Sequence, residues 1–222
     1  GITRSEVEES VALAHAAGAT VVGLHAHVGS GVRDPQAWVS TAILLAALAE
    51  SIPTVKLINI GGGLGVVEKP TESPLDLQGF DASLESVKVA APHLEIWIEP
   101  GRYLVAEAGV LLTRVTQRKR KVDQRYLGVN AGMNALIRPA LYGAWHEIVN
   151  LSRLDETGAE RVTVVGPICE TGDTLGYDRL LPISHEGDLI LIATAGAYGR
   201  VMSSNYNRRA FPKETILPVG DS

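Results

Sequence analysis

The chain has 222 residues, with 25 acidic side chains against 20 basic ones and a formal charge of −5 near neutrality. That length allows one large domain or two small ones, and the acidic balance offers no broad positive field to a nucleic-acid backbone, so no such partner is expected. The longest apolar-rich run, residues 42–49, falls far short of the roughly 20 residues that cross a bilayer, so no membrane partner is expected either. The single cysteine leaves no intrachain disulfide framework and points to a reducing cytoplasm. Gly1-Ile2-Thr3-Arg4 lacks both an initiator Met and a signal pattern and reads as an internal start.

Ser5 followed by Glu8 reads as a capping box that opens a first helix, which Gly18 stops. Val7, Val11 and Ala14 form its apolar stripe. A strand over 20–26 follows, β-branched at its start. Asp34-Pro35 then opens a second helix whose aliphatic run through Leu48 predicts burial over much of its circumference. Next come a strand over 55–60, a helix over 81–91 and a strand over 94–99. Helix followed by strand, three times, implies parallel strands joined by helical crossovers.

The repeat of about 33 residues per unit matches a (β/α)8 TIM-type barrel, in which active-site groups leave the carboxyl ends of the strands. A Rossmann-like open sheet obeys a similar rule. Residues 1–105 would then be the last three barrel units, with five more expected upstream. From residue 106 to 222 the pattern turns into a mostly antiparallel β domain, with strands over 110–115, 126–129, 161–165 and 188–194. Glu156-Thr157-Gly158 and Glu186-Gly187 mark turns. The stretch 137–150 interrupts the strands, and Pro139 and Gly143 keep it from being one long helix. Arg118 to Lys121 reads as a solvated strand end or turn. The fold class is therefore α/β plus β.

Polar residues collect at the strand ends: His27 after the first, Gly61-Gly62-Gly63 at the second, and Glu99-Pro100-Gly101-Arg102 at the third. Successive glycines let backbone N–H groups close on an anion, or simply make a tight turn. Arg102 could add a charge-assisted contact to the same anion. The glycines fit neither the Walker A spacing nor G-x-G-x-x-G, so a nucleotide is not specifically indicated. His25 and His27 alternate along the strand and could serve one metal, which makes a metal-dependent hydrolase the alternative reading, although further ligands are needed. His27 beside Gly29-Ser30-Gly31 could instead lay its ring on a planar cofactor. Glu99 could hold a proton on a ring nitrogen, as a pyridine electron sink requires, or be a paired structural glutamate. Cys169-Glu170 could form a proton-donor pair, and Tyr198, between small residues, could reach a ligand. A non-catalytic phosphate-binding protein would share the glycine loop.

Five segments, His25-Ala26-His27-Val28-Gly29-Ser30, Gly61 to Gly65, Glu99-Pro100-Gly101-Arg102, Gly166-Pro167-Ile168-Cys169-Glu170 and Gly196-Ala197-Tyr198, stand in an order that resembles the pyridoxal-phosphate decarboxylases of the alanine-racemase-like barrel type. Arg138-Pro139-Ala140-Leu141-Tyr142-Gly143 and Met202 to Asn207 are similar to the branch that acts on diaminopimelate. The resemblance implies pyridoxal 5'-phosphate as cofactor, no catalytic metal, and a lyase of lysine biosynthesis that converts meso-2,6-diaminopimelate to L-lysine and CO2. It implies a phosphate held by Gly61, Gly62 and Gly63 with Ser30, Arg102 and Tyr198, a ring stacked on His27, and a ring nitrogen held by Glu99. Arg102, Arg138 and Tyr142 would meet substrate carboxylates. Cys169 and Glu170 would come from the partner of a homodimer with shared sites, Glu170 reading the distal amine and Cys169 lying near the carbon that is reprotonated. The family's cofactor lysine has no counterpart: Lys56, Lys69, Lys88, Lys119, Lys121 and Lys213 all stand in other contexts. The chain is expected to be a C-terminal portion that is inactive until the N-terminal barrel half supplies that lysine.

Overall fold

In the computed structural model, which describes residues 1–218, a 3-10 turn over Arg4–Glu6 leads into α1 (Val7–Ala16). The capping box belongs to Thr3 and Glu6, not to Ser5 and Glu8. Glu6 Oε2 accepts the Thr3 N–H at 2.6 Å, whereas Ser5 Oγ only meets Thr3 Oγ1 at 3.0 Å. The added tight turn moves the cap two residues upstream, where the Thr3 N–H is a helix-end donor in need of an acceptor. Gly18, at φ 81°, ends the helix.

Three parallel strands follow, in the order β1 (Gly23–His25), β2 (Leu57–Gly62), β3 (Glu95–Glu99), with α2 (Gln36–Ala49) and α3 (Leu77–Ala90) as the crossovers. Asp76 caps α3 by accepting the Gly79 N–H at 3.0 Å. Strand β1 is shorter than its β-branched lead-in predicts, because residues 20–22 stay outside the ladder. Helix α2 buries a single stripe, Trp38, Val39, Ala42, Leu45 and Ala49, and leaves Ile43 and Leu44 exposed, so its burial covers less of the circumference than the aliphatic run predicts. Trp38 is the keystone of this core. Its ring meets Phe80 of α3 edge-on at 5.3 Å, and its Nε1–H donates to the Gly62 carbonyl at 3.0 Å.

After a short helix, α4 (Gly101–Val105), the chain enters a six-stranded sheet ordered β6-β9-β4-β5-β7-β8. Its strands are β4 (Leu111–Lys121), β5 (Gln124–Val129), β6 (Ile148–Asn150), β7 (Glu160–Val165), β8 (Thr174–Leu181) and β9 (Leu189–Ile192), with the one-turn helix α5 (Arg138–Tyr142) between β5 and β6. Every pairing is antiparallel except β5 with β7. The outermost strands β6 and β8 also come into contact, so the sheet curls nearly closed around Leu127, Leu136, Leu175, Ile190 and Ile192. The basic run lies inside β4, which continues well past its predicted end because β5 pairs with it as far as Lys121.

The chain divides into two compact units, residues 1–66 with 73–103, and residues 67–72 with the chain from Leu104 onward. The short stretch Val67–Glu72 therefore belongs with the sheet unit. Among the described residues no helix is long and apolar enough to cross a membrane.

Candidate functional site

The parallel register sets His25, Asn59 and Trp97 side by side. Glu99, two residues beyond Trp97, shares that face. Asn59 Nδ2 donates to Glu99 Oε1 at 2.9 Å, and Asn59 Oδ1 accepts the Gly61 N–H at 2.9 Å. His25 Nε2 lies 3.5 Å from the same Glu99 oxygen. His27 Nδ1 accepts the Gly62 N–H at 3.2 Å, so a neutral His27 carries its proton on Nε2. Because β1 stops at His25, strand alternation does not extend to His27, and the two imidazoles have different partners. Among the described residues no three His, Cys, Asp or Glu side chains group as a metal site.

The three glycines are demanded first by packing. A Cβ at Gly61 would lie 2.8 Å from the Ala26 carbonyl oxygen, at Gly62 2.0 Å from that of Glu99, and at Gly63 1.9 Å from that of Gly29. Only glycine lets the three strand ends close on one another this tightly. Gly61 and Gly62 give their N–H groups to Asn59 and His27. Arg102 Nη2 reaches within 3.6 Å of where a Cβ of Gly31 would stand, over the turn that carries Ser30. His27, Ser30, Gly61, Gly62, Gly63, Glu99 and Arg102 thus gather at one end of the three-stranded sheet. His27, Ser30 and Glu99 are exposed there and Arg102 is half-buried. An exposed imidazole, a carboxylate fixed by an amide and a guanidinium over the Gly31 turn fit a planar, ring-nitrogen cofactor that bears an anionic group.

The sheet unit holds the remaining candidates. Arg138 opens α5, and the left-handed Gly143 (φ 63°) turns the chain back after one helical turn, so that His146 faces Arg138. Arg138 is buried: its Nη2 donates to Glu68 Oε1 at 3.0 Å, and its Nη1 lies 3.0 Å from His146 Nε2. Tyr142 and Tyr198 are exposed. Cys169 and Glu170 ride on a loop clamped by the buried carboxylate of Asp173, which accepts the Met133 N–H at 2.5 Å and the Ile168 N–H at 2.6 Å. Both of its oxygens are needed, and Gly132 and Gly166 leave it room. Cys169 is exposed and free of disulfide. Glu170 Oε1 accepts the Thr171 N–H at 2.8 Å, and its Oε2 lies 3.4 Å from the Tyr206 hydroxyl. The substrate-side candidates and the strand-end candidates therefore fall in different units.

Sequence reasoning passed over Asn59, His146 and Glu68. Asn59 had a signal, being the single polar side chain in the otherwise apolar strand Leu57–Gly62. Arg179 was also missed; its guanidinium stacks 3.1 Å over the Trp145 ring, and burial lowers its pKa to about 10 against the opposing pull of Glu147.

Cofactor-type groups at parallel strand ends, followed by a curled sheet domain, define a class. The chain belongs to the pyridoxal-dependent decarboxylases, whose C-terminal sheet-domain model matches residues 28–196. Within that class its relatives include diaminopimelate decarboxylases. It is 37% identical to that of Methanothermobacter thermautotrophicus over 99% of its length, and 38% identical to that of Archaeoglobus fulgidus over 100%. It spans about half of these relatives, 54% of each. The crystal structure of the Helicobacter pylori diaminopimelate decarboxylase complexed with L-lysine superposes with a TM-score of 0.85 at 34% identity, over 94% of this chain and 52% of that one.

Proposed function

We propose that the chain is part of a pyridoxal-phosphate-dependent carboxy-lyase that converts meso-2,6-diaminopimelate to L-lysine and CO2. On this reading residues 1–105 are the last three units of a (β/α)8 barrel, and residues 106–222 are its sheet domain. The observation that carries the reading is the convergence of three segments on one sheet end, with Glu99 fixed by Asn59 and His27 fixed by Gly62.

Bound there, the cofactor supplies a protonated ring that takes up the electron pair left when CO2 departs. Glu99 keeps the proton on the ring nitrogen, and Asn59 holds the carboxylate in place for that task. The exposed face of His27 supports the ring, its own rotation stopped by the Gly62 N–H. Gly61, Gly62 and Gly63 give backbone access, while Ser30, Arg102 and Tyr198 bind the phosphate. Arg102, Arg138 and Tyr142 bind substrate carboxylates, of which diaminopimelate has two. Glu170 reads the distal amine and Cys169 serves the reprotonated carbon. Both are exposed on a loop held from beneath by Asp173, which suits residues offered to a second subunit of a homodimer. The free thiol suits a cytoplasmic setting.

None of the six lysines stands in the family's cofactor-lysine context, so the reaction requires a barrel segment that supplies one. The test is CO2 release from carboxyl-labelled meso-2,6-diaminopimelate, by this chain alone and by this chain together with the N-terminal barrel half. Release only in the second case supports the proposal. Borohydride reduction of the isolated chain with pyridoxal phosphate should leave no lysine stably modified. Cofactor binding without turnover by the assembled protein would instead mark a non-catalytic binder.

A further inference from the structure

Arg138 is worth more to a ligand the more firmly its fork is held, and the structure shows what holds it. A guanidinium carries five N–H donors and no acceptor. One N–H of Arg138 goes to Glu68 Oε1 and another to His146, so 5 − 2 leaves three to meet a ligand. Since Arg138 can only donate, His146 Nε2 must be the acceptor. The other ring nitrogen, Nδ1, lies 2.8 Å from the Ala193 carbonyl oxygen, which can only accept, so Nδ1 must carry the proton. The two neighbours together dictate one neutral tautomer of a fully buried imidazole. Ala193 is itself fixed at the end of β9, where its N–H donates to the Glu147 carbonyl at 2.9 Å. A rigid line thus runs from the β9 backbone through His146 to the guanidinium.

We propose that His146 is the positioning residue that orients Arg138 toward a substrate carboxylate; this rests on the reading of Arg138 given above. Glu68 balances the charge but pins only one nitrogen, about which the fork can pivot. The bond from His146 to the second nitrogen removes that freedom. Proton uptake at Nε2 would set donor against donor and cation against cation. Burial holds the His146 pKa below the ordinary histidine value, and the charges of Arg138 and Arg179 add to this against the opposing Ala193 carbonyl and Glu68.

Two measurements test the proposal. In this chain labelled with 15N-histidine, NMR should show His146 as the Nδ1–H tautomer at neutral pH, and the Nε2–H tautomer would overturn the proposal whether or not any variant folds. In the assembled holoenzyme, His146→Asn keeps the donor to Ala193 but loses the acceptor for Arg138, so KM for meso-2,6-diaminopimelate should rise about tenfold with kcat near the parent value. His146→Gln restores an acceptor and should bring KM back toward the parent. An unchanged KM in His146→Asn, with Arg138→Ala raising KM, would overturn the positioning role alone. An unchanged KM in Arg138→Ala would overturn the carboxylate reading, and this proposal with it.

Discussion

Asn59 and Glu99 sit on neighbouring parallel strands, and the amide of one donates to the carboxylate of the other at 2.9 Å while its oxygen takes the Gly61 N–H. One side chain therefore ties the glycine turn to the acid. Asn59→Ala should weaken pyridoxal phosphate binding by the assembled enzyme about tenfold, the worth of roughly one charge-assisted bond. Asn59→Asp should do more damage, because it sets a second carboxylate against Glu99. Equilibrium dialysis against the cofactor reads both effects, and parental affinity in both variants would contradict the assigned link.

Trp38 is wholly buried and bridges α2, α3 and the carbonyl of Gly62. Trp38→Ala should cost about 3–5 kcal/mol in a urea titration. Trp38→Phe should cost less, since it keeps most of the apolar volume and loses chiefly the indole bond.

Asp188 carries an acid-stability signature. Burial alone would push its carboxyl up, but hydrogen bonds from Arg153, Asn150 and the His185 N–H outweigh it and bring the pKa down to about 2. A carboxyl lower in the folded than in the unfolded chain stabilises the fold above pH of about 4 and loses that contribution as pH falls toward 2, a loss of about 2 kcal/mol. Stability measured at pH 5 and at pH 2.5 should therefore differ more in the parent than in Asp188→Asn, whose side chain does not titrate.

Asp173 accepts two backbone N–H groups with both oxygens while almost fully buried. Asp173→Ala strands those donors, at about 1–3 kcal/mol each. A lowered thermal midpoint, together with faster proteolysis near Cys169, is the expected result.

The order of helices and strands in residues 1–100, though not every boundary, was legible because apolar periodicity and the Asp34-Pro35 and Gly18 signals are local. Strand β8 was not. Gly176, Asp178 and Arg179 break its alternation, and those residues make sense only against their surroundings: Gly176 makes room for the Arg179 side chain, and Arg179 covers Trp145. The parallel pairing of β5 with β7 likewise has no local mark. At the site, the strand-end motifs were readable as types, but which N–H meets which acceptor was not. The glycines, read as an anion loop or a tight turn, also stand against carbonyl oxygens of adjacent segments, a demand no local pattern displays, and His146 gains its meaning only from an arginine eight residues away and a carbonyl 47 residues away.

The hexapeptide Val67–Glu72 groups with the sheet unit although both flanking segments group with the other. A gene cut once near codon 104 would therefore not yield a self-sufficient module. The downstream product would lack Glu68, the counter-ion of Arg138, and recombination between relatives at that point would be tolerated only where the parent that supplies residues 67–72 carries a compatible acid.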